Sequence, residues 1–168
     1  MLIDVSSLSV EKALSMAVKA EADAEAVYKR LHKLVKNFVL KDKLHFLVNE
    51  EKKHQKVVRE LYRKLFPGKE PVDPGKSIVP RLSIALKEEL TVPDLLETAM
   101  EAEKTSEEFY DTLSENVEER GVQEILQYLA SMEHSHYFLL KGDYELAMRD
   151  EMYTQREDFQ YDMVHVGP

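Results

Sequence analysis

Phe66–Pro80 reads "FPGKEPVDPGKSIVP" and holds four of the six prolines in a chain of 168 residues. Proline fixes φ, lacks an N–H and clashes with the preceding turn, so no helix runs from Pro67 through Pro80. The break splits the chain into two halves with the same pattern. Before it, apolar residues recur at helical spacing through Leu14, Ala17, Val18, Tyr28, Leu31 and Val35, then through Leu44, Leu47, Val48, Val58, Leu61 and Leu65. After it they recur through Leu95, Leu96, Ala99, Tyr110, Leu113 and Val117, then through Ile125, Leu126, Leu129, Leu140 and Tyr144. Ser7 or Ser9 suits the first N-cap, Pro93 and Asp94 suit the opening turn of the third helix, and Gly121 marks the turn into the fourth.

Short links within each half make antiparallel hairpins, and the long middle link makes a crossover. The expected fold is all-α: an antiparallel four-helix bundle of two repeated hairpins over residues 1–148, with Pro67–Pro80 running along its outside. Residues 149–168 form a C-terminal extension that either prolongs the fourth helix or packs elsewhere.

Composition narrows the function. The chain is 43% hydrophobic and 33% charged with a formal net charge of -9, which argues against nucleic acid or an anionic membrane as partner. No apolar run approaches the ~20 residues that span a bilayer. The N-terminal "MLIDVSSLSVEKAL" lacks the basic start and long apolar core of a signal peptide, so a cytoplasmic location is expected. With 0 Cys, disulfides, thiolate zinc sites and cysteine-ligated iron centres are excluded from this chain.

Sliding the chain on itself by 82 residues aligns the halves: Leu14 meets Leu96, Ala17 meets Ala99, Glu21 meets Glu103, Tyr28 meets Tyr110 and Leu31 meets Leu113. Without a gap, Leu44 then meets Leu126, Leu47 meets Leu129, Glu51 meets Glu133 and His54 meets His136. A lone Glu-x-x-His is most simply a solvated helix face. Two at matching positions, each joined by a Glu on the preceding helix, are hard to obtain by accident. The register also chooses between neighbours: Glu50 maps onto Met132, whereas Glu51 maps onto Glu133. Glu25 and Glu107 match too, but lie toward the polar flank. His32, His45, His134 and His165 fall outside the pattern and are assigned to the surface.

Each helix thus turns one carboxylate inward, and two add a histidine one turn along. Four buried carboxylates repel one another severely. Two divalent cations would cancel them and leave both imidazoles neutral. One Glu from each of two helices plus Glu-x-x-His from each of the others is how four-helix bundles hold di-iron and di-manganese centres.

At this point the sequence resembles the rubrerythrin branch of the ferritin-like superfamily, in "AVKAEADAEAVY" with "NEEKKH" and in "AMEAEKTSEEFY" with "MEHSH". The resemblance runs from about Val10 to Met148. It implies a ferritin-like bundle with Glu21, Glu51, His54, Glu103, Glu133 and His136 as metal ligands, Glu51 and Glu133 bridging. Tyr28 and Tyr110, two turns from Glu21 and Glu103, are candidate donors to the ligating carboxylates; as ordinary core residues they would instead reach a helix end or a carbonyl. The implied cofactor is two iron ions, with manganese or a mixed iron–manganese pair using similar ligands. The implied activity is reduction of hydrogen peroxide or dioxygen by a homo-oligomer, expected to be a dimer.

Two departures from the family pattern matter. Typical members carry a four-cysteine rubredoxin domain, so here electrons would come from a separate donor protein such as a rubredoxin. Typical members also have a further Glu three residues after the third-helix ligand; here that residue is Ser106, which puts redox-dependent ligand exchange in doubt. Two other functions fit the same residues: a ferroxidase feeding iron storage, and a metal-free helical module that binds a partner.

Overall fold

The computed structural model describes residues 8–75, 77–150 and 152–155, with the side chain of Ser83 excepted. Ser7, His165 and most of the expected C-terminal extension therefore lie outside the described residues. Within them the chain forms α1 (Val10–Leu34), α2 (Phe38–Leu65), α3 (Pro80–Ala85), α4 (Val92–Glu115) and α5 (Arg120–Arg149). The helices start where the repeat requires: shifting Val10 and Phe38 by 82 residues gives Val92 and Arg120. The four long helices have 25, 28, 24 and 30 residues, or roughly 36–45 Å each at 1.5 Å per residue.

Local chemistry sets the helix starts. Ser9 Oγ accepts from Lys12 N at 3.3 Å, and Asn37 Oδ1 accepts from Leu40 N at 3.0 Å. Thr91 and Asp94 form a reciprocal capping box, with Pro93 in the first turn. Thr91→Ala should cost about 1 kcal/mol, read as a shift in the denaturation midpoint at unchanged slope. The expected role of Gly121 is corrected: it lies inside the first turn of α5. The link is made instead by Asn116, the C-cap of α4, and by Gln123 Nε2 donating to the Val117 carbonyl at 2.6 Å.

α1 packs on α2 and α4 on α5, forming the two hairpins; α1 and α4 also face one another, while α2 and α5 meet sparsely. The shared core contains Leu14, Leu31, Leu44, Leu47, Leu95, Leu96, Leu113, Leu126 and Leu129, each at most 1% exposed. Pro67–Gly75 stays on or near the surface, as expected of the crossover. Its end does not. Ser77, Ile78 and Val79 are buried, and the short α3 adds Leu82 and Ala85 to the core. These apolar residues fill the angle between α1 and α4. Arg30 Nη1 fixes the end of α3 by donating to the Ala85 carbonyl. Among the described residues no helix is long and apolar enough to cross a membrane.

Candidate metal centre

The helical registers carry Glu21, Glu51, His54, Glu103, Glu133 and His136 to the middle of the bundle, where none is more than 3% exposed. Two come from α1 and α4, and four from the Glu-x-x-His turns of α2 and α5. Beside Glu21 stand Ala17, Ala20 and Ala24; beside Glu103 stand their repeat mates Ala99, Ala102 and Ser106, all buried.

The distances obey the internal two-fold. His54 Nδ1 lies 2.8 Å from Glu133 Oε1, 3.5 Å from Glu21 Oε2 and 3.7 Å from Glu51 Oε2. His136 Nδ1 lies 3.3 Å from Glu51 Oε1, 3.5 Å from Glu133 Oε2 and 3.6 Å from Glu103 Oε2. Glu51 and Glu133 therefore touch both imidazoles, while Glu21 serves only His54 and Glu103 only His136. The two rings stack with centroids 5.3 Å apart and planes 19° off parallel. Phe46, half exposed, meets His136 in a T-shaped pair with ring centroids 6.4 Å apart.

These short contacts are not formed hydrogen bonds. Both oxygens of Glu51, Glu133 Oε1, both Nδ1 atoms and His136 Nε2 are buried without a hydrogen-bond partner. Leaving so many buried polar atoms unsatisfied would be costly in a purely structural layer. One donor atom from each of Glu51, His54, Glu133 and His136 lies within 4.8 Å of all the others. Converging carboxylate oxygens and imidazole nitrogens suit a pair of divalent ions.

The outer faces of the site are tied differently. Tyr28 of α1 donates its hydroxyl to Glu103 Oε1 of α4, and Tyr110 of α4 donates to Glu21 Oε1 of α1. Each tyrosine thus crosses between hairpins to the terminal carboxylate of the other, leaving Oε2 of Glu21 and Glu103 toward the imidazoles. The helical spacing placed both tyrosines near the site, but not this exchange.

The two classes of carboxylate are also split electrostatically. Burial, followed by the charge of Glu133, pushes Glu21 and Glu103 well above the ordinary carboxyl range, with Glu51 adding to the effect on Glu21. Burial also pushes Glu51 and Glu133 upward, and the charge of Glu133 adds to this at Glu51, yet both are held low. At Glu51 the two imidazoles and then Glu21 outweigh the push; at Glu133 the contact with Glu103 does so first, followed by the imidazoles. Burial disfavours the charged imidazoles, yet the surrounding glutamates win: His54 is driven far up, and His136 to about 12. Burial, then the charges of Glu21 and Glu133, keeps the Tyr110 hydroxyl protonated.

A family model for rubrerythrin matches residues 12–144. The chain belongs to the rubrerythrin family. A solved structure described as a hypothetical protein from Pyrococcus furiosus is 39% identical, with a TM-score of 0.74 over 84% of this chain and 92% of that one. No curated protein matches. The fold of this rubrerythrin-family chain is a ferritin-like helical bundle, and its interior holds a buried Glu/His group able to bind metal.

The acids set aside by the repeat have other partners in this rubrerythrin-family bundle. Glu50 pairs with Lys53 at 2.5 Å. Glu25 pairs with Lys29 at 2.5 Å and accepts from Gln55 at 2.7 Å, and Glu107 contacts His134 at 2.8 Å. His45 and His134 are exposed and His32 is half-buried.

Proposed function

We propose that this chain is a di-iron oxidoreductase that reduces hydrogen peroxide or dioxygen with electrons from a separate donor protein such as a rubredoxin. The observation that carries the reading is the sharing of Glu51 and Glu133 between two otherwise separate donor sets. His54 with Glu21, and His136 with Glu103, would each hold one ion, and Glu51 and Glu133 would bridge. When bound, two ferrous ions can supply the two electrons that hydrogen peroxide needs to become water.

The chain's own residues prepare that chemistry. Nδ1 of each histidine faces the carboxylates, so the imidazole must be deprotonated there to act as a ligand. Tyr28 and Tyr110 hold one oxygen of each terminal glutamate and fix the direction of the other. The leucine-rich layers on both sides of the site limit the entry of water. With 0 Cys in the chain, these residues hold no second electron-carrying iron centre of the cysteine type, which motivates the external donor. Manganese or a mixed pair would use the same donors, and elemental analysis separates these cases.

The test of the reaction is anaerobic loading with iron(II), reduction, and rapid mixing with hydrogen peroxide and, separately, dioxygen. Oxidation of both irons by one equivalent of peroxide, with turnover once a reduced rubredoxin is added, is expected. Oxidation by dioxygen followed by release of iron as mineral would favour the ferroxidase function instead. The proposed homodimer is tested on the same preparation by sedimentation.

The tyrosines give a further expected result. Tyr28→Phe and Tyr110→Phe should each lower metal affinity by roughly tenfold or more, as loss of a hydrogen bond to a ligand usually does. Each should act mainly on the ion served by the glutamate it touches. Titration of the apoprotein with iron(II) would then show two unequal binding steps.

A further inference from the structure

α2 and α5 supply four of the six donors, yet they are the sparsely packed pair among the long helices. Two ion pairs bridge their ends. At one end Lys64 meets Glu119 at 2.5 Å, but both side chains are about half exposed, so the pair contributes little. At the other end Lys43 Nζ lies 2.9 Å from Asp143 Oδ1 and 3.1 Å from Oδ2, and Asp143 is only 1% exposed.

Asp143 has a second donor. Tyr153 Oη donates to Asp143 Oδ1 at 2.7 Å, from the turn that follows α5. That turn is seated on the link between α1 and α2: Lys36 N and Asn37 N donate to the Thr154 carbonyl at 2.7 and 3.2 Å. Asn37 Nδ2 donates to the Tyr153 carbonyl at 3.0 Å, while its Oδ1 caps α2. One short segment thus joins the start of α2 to the end of α5 and buries Asp143, while the Lys43 side chain stays about a third exposed. The repeat marks these residues as additions: the mates of Lys43 and Asp143 under the 82-residue shift are Ile125 and Leu61. An apolar pair between α2 and α5 at one end of the bundle, Leu61 and Ile125, is replaced at the other end by a hydrogen-bonded charge pair.

We propose that Lys43, Asp143 and Tyr153 form a clasp that holds α2 against α5 and sets how fast the bound metal pair exchanges. Asp143 lies seven residues beyond His136 on α5, about two turns or ~10 Å along the axis. Lys43 lies eight residues before Glu51 on α2. Both ligand-bearing turns are therefore on stiff helices anchored at the clasp. Opening the clasp lets the helices part at that end and exposes the Glu51–His136 side of the site. Lys43, Asp143 and Tyr153 are positioning residues in this scheme and touch no metal.

The proposal rests on the metal-binding reading of the site, and the experiment separates the two. The full chain, loaded anaerobically with iron(II), is mixed with excess of a coloured ferrous chelator, and the rate of iron loss is measured. Tyr153→Phe and Lys43→Met should each speed the loss on the order of tenfold, the scale of one hydrogen bond to a charged group. They should still saturate at the wild-type iron content. The double variant should be faster than either alone, by less than the product, because the two changes break one unit. Val122→Ala, which removes a fully buried side chain at the far end of α5, serves as the control for general destabilisation. It should lower the melting temperature and leave iron loss unchanged.

Wild-type iron loss from Tyr153→Phe would overturn the clasp, and so would acceleration in every variant in proportion to its melting shift. If the wild type takes up no iron, the metal-binding reading fails, and the backbone amides of Lys36 and Asn37 decide whether the clasp survives. Faster hydrogen exchange there in Tyr153→Phe would support a clasp between the helix ends. Unchanged protection would overturn it.

Discussion

Glu51→Ala should lose both metal ions, and Glu21→Ala only one. Glu51 stands 3.7 Å from His54 Nδ1 and 3.3 Å from His136 Nδ1, so its oxygens face both donor sets. Glu133 repeats this from the other side at 2.8 and 3.5 Å. Removing either leaves each ion one carboxylate short. The expected loss of affinity exceeds the roughly 10–100-fold typical of a residue that merely orients a ligand. Glu21→Ala, Glu103→Ala, His54→Ala and His136→Ala each strip one donor set and should leave a mononuclear form. Glu25→Ala and Glu50→Ala should keep both ions, since these carboxylates are held by Lys29 and Gln55 and by Lys53. Metal counts per chain across this set are the measurement. Loss of metal from Glu50→Ala equal to that from Glu51→Ala would mean that the wrong helix face had been assigned.

Metal loading should release about four protons per pair of ions, because the site balances its charge with protons when no metal is bound. Glu21 and Glu103 are pushed into the protonated form, and both imidazoles are held as cations, while Glu51 and Glu133 remain charged. Two divalent ions would replace those four protons and leave the site as neutral as before. Calorimetry in buffers of different ionisation enthalpy counts the protons directly. Release near zero would contradict this charge balance.

The same groups set the pH dependence of the metal-free chain. Glu21, Glu103, His54 and His136 hold protons in the folded state that the unfolded chain gives up around 4.5 and 6.5. Their stabilising contribution is complete below those values and is lost as pH rises toward their folded-state values. Glu51 and Glu133 act oppositely: their contribution is present above about 4.5 and fades as pH falls through their depressed values. Metal-free protein should therefore be most stable near about pH 4.5 and weaken steadily as pH rises through neutrality, more steeply above about 6.5 where the histidines join. At neutral pH, ions at about a hundred times their Kd would add roughly 5 kcal/mol over two sites. For a chain of this size that corresponds to a melting shift of roughly 10–20 °C. Identical melting curves with and without metal would reduce the six residues to a tolerated polar layer.

The helices were legible because each buries a long apolar stripe, and the repeat doubled the signal by placing Leu on Leu and Glu on Glu. The six central residues were legible for the same reason: acids and histidines standing inside those stripes require an explanation. α3 was not legible, since six residues with two buried positions are too few to show a period. Gly121 misled because glycine commonly marks a helix end, whereas here Asn116 and the Gln123 side chain form the turn. The crossed tyrosine contacts depend on how the hairpins pair, which helical spacing cannot reveal. Asp143 did leave a trace. It occupies an apolar register position, one turn from Leu140 and Ala147, where the first half of the repeat has Leu61.

Six side chains from four helices are expected to hold two metal ions. Anaerobic titration of the metal-free chain with iron(II), followed by elemental analysis after desalting, tests this most directly. Saturation at about two ions per wild-type chain is expected, with none retained by a Glu51→Ala/Glu133→Ala double variant that still folds. A wild-type chain that retains no metal, or a double variant that retains as much as wild type, would contradict it.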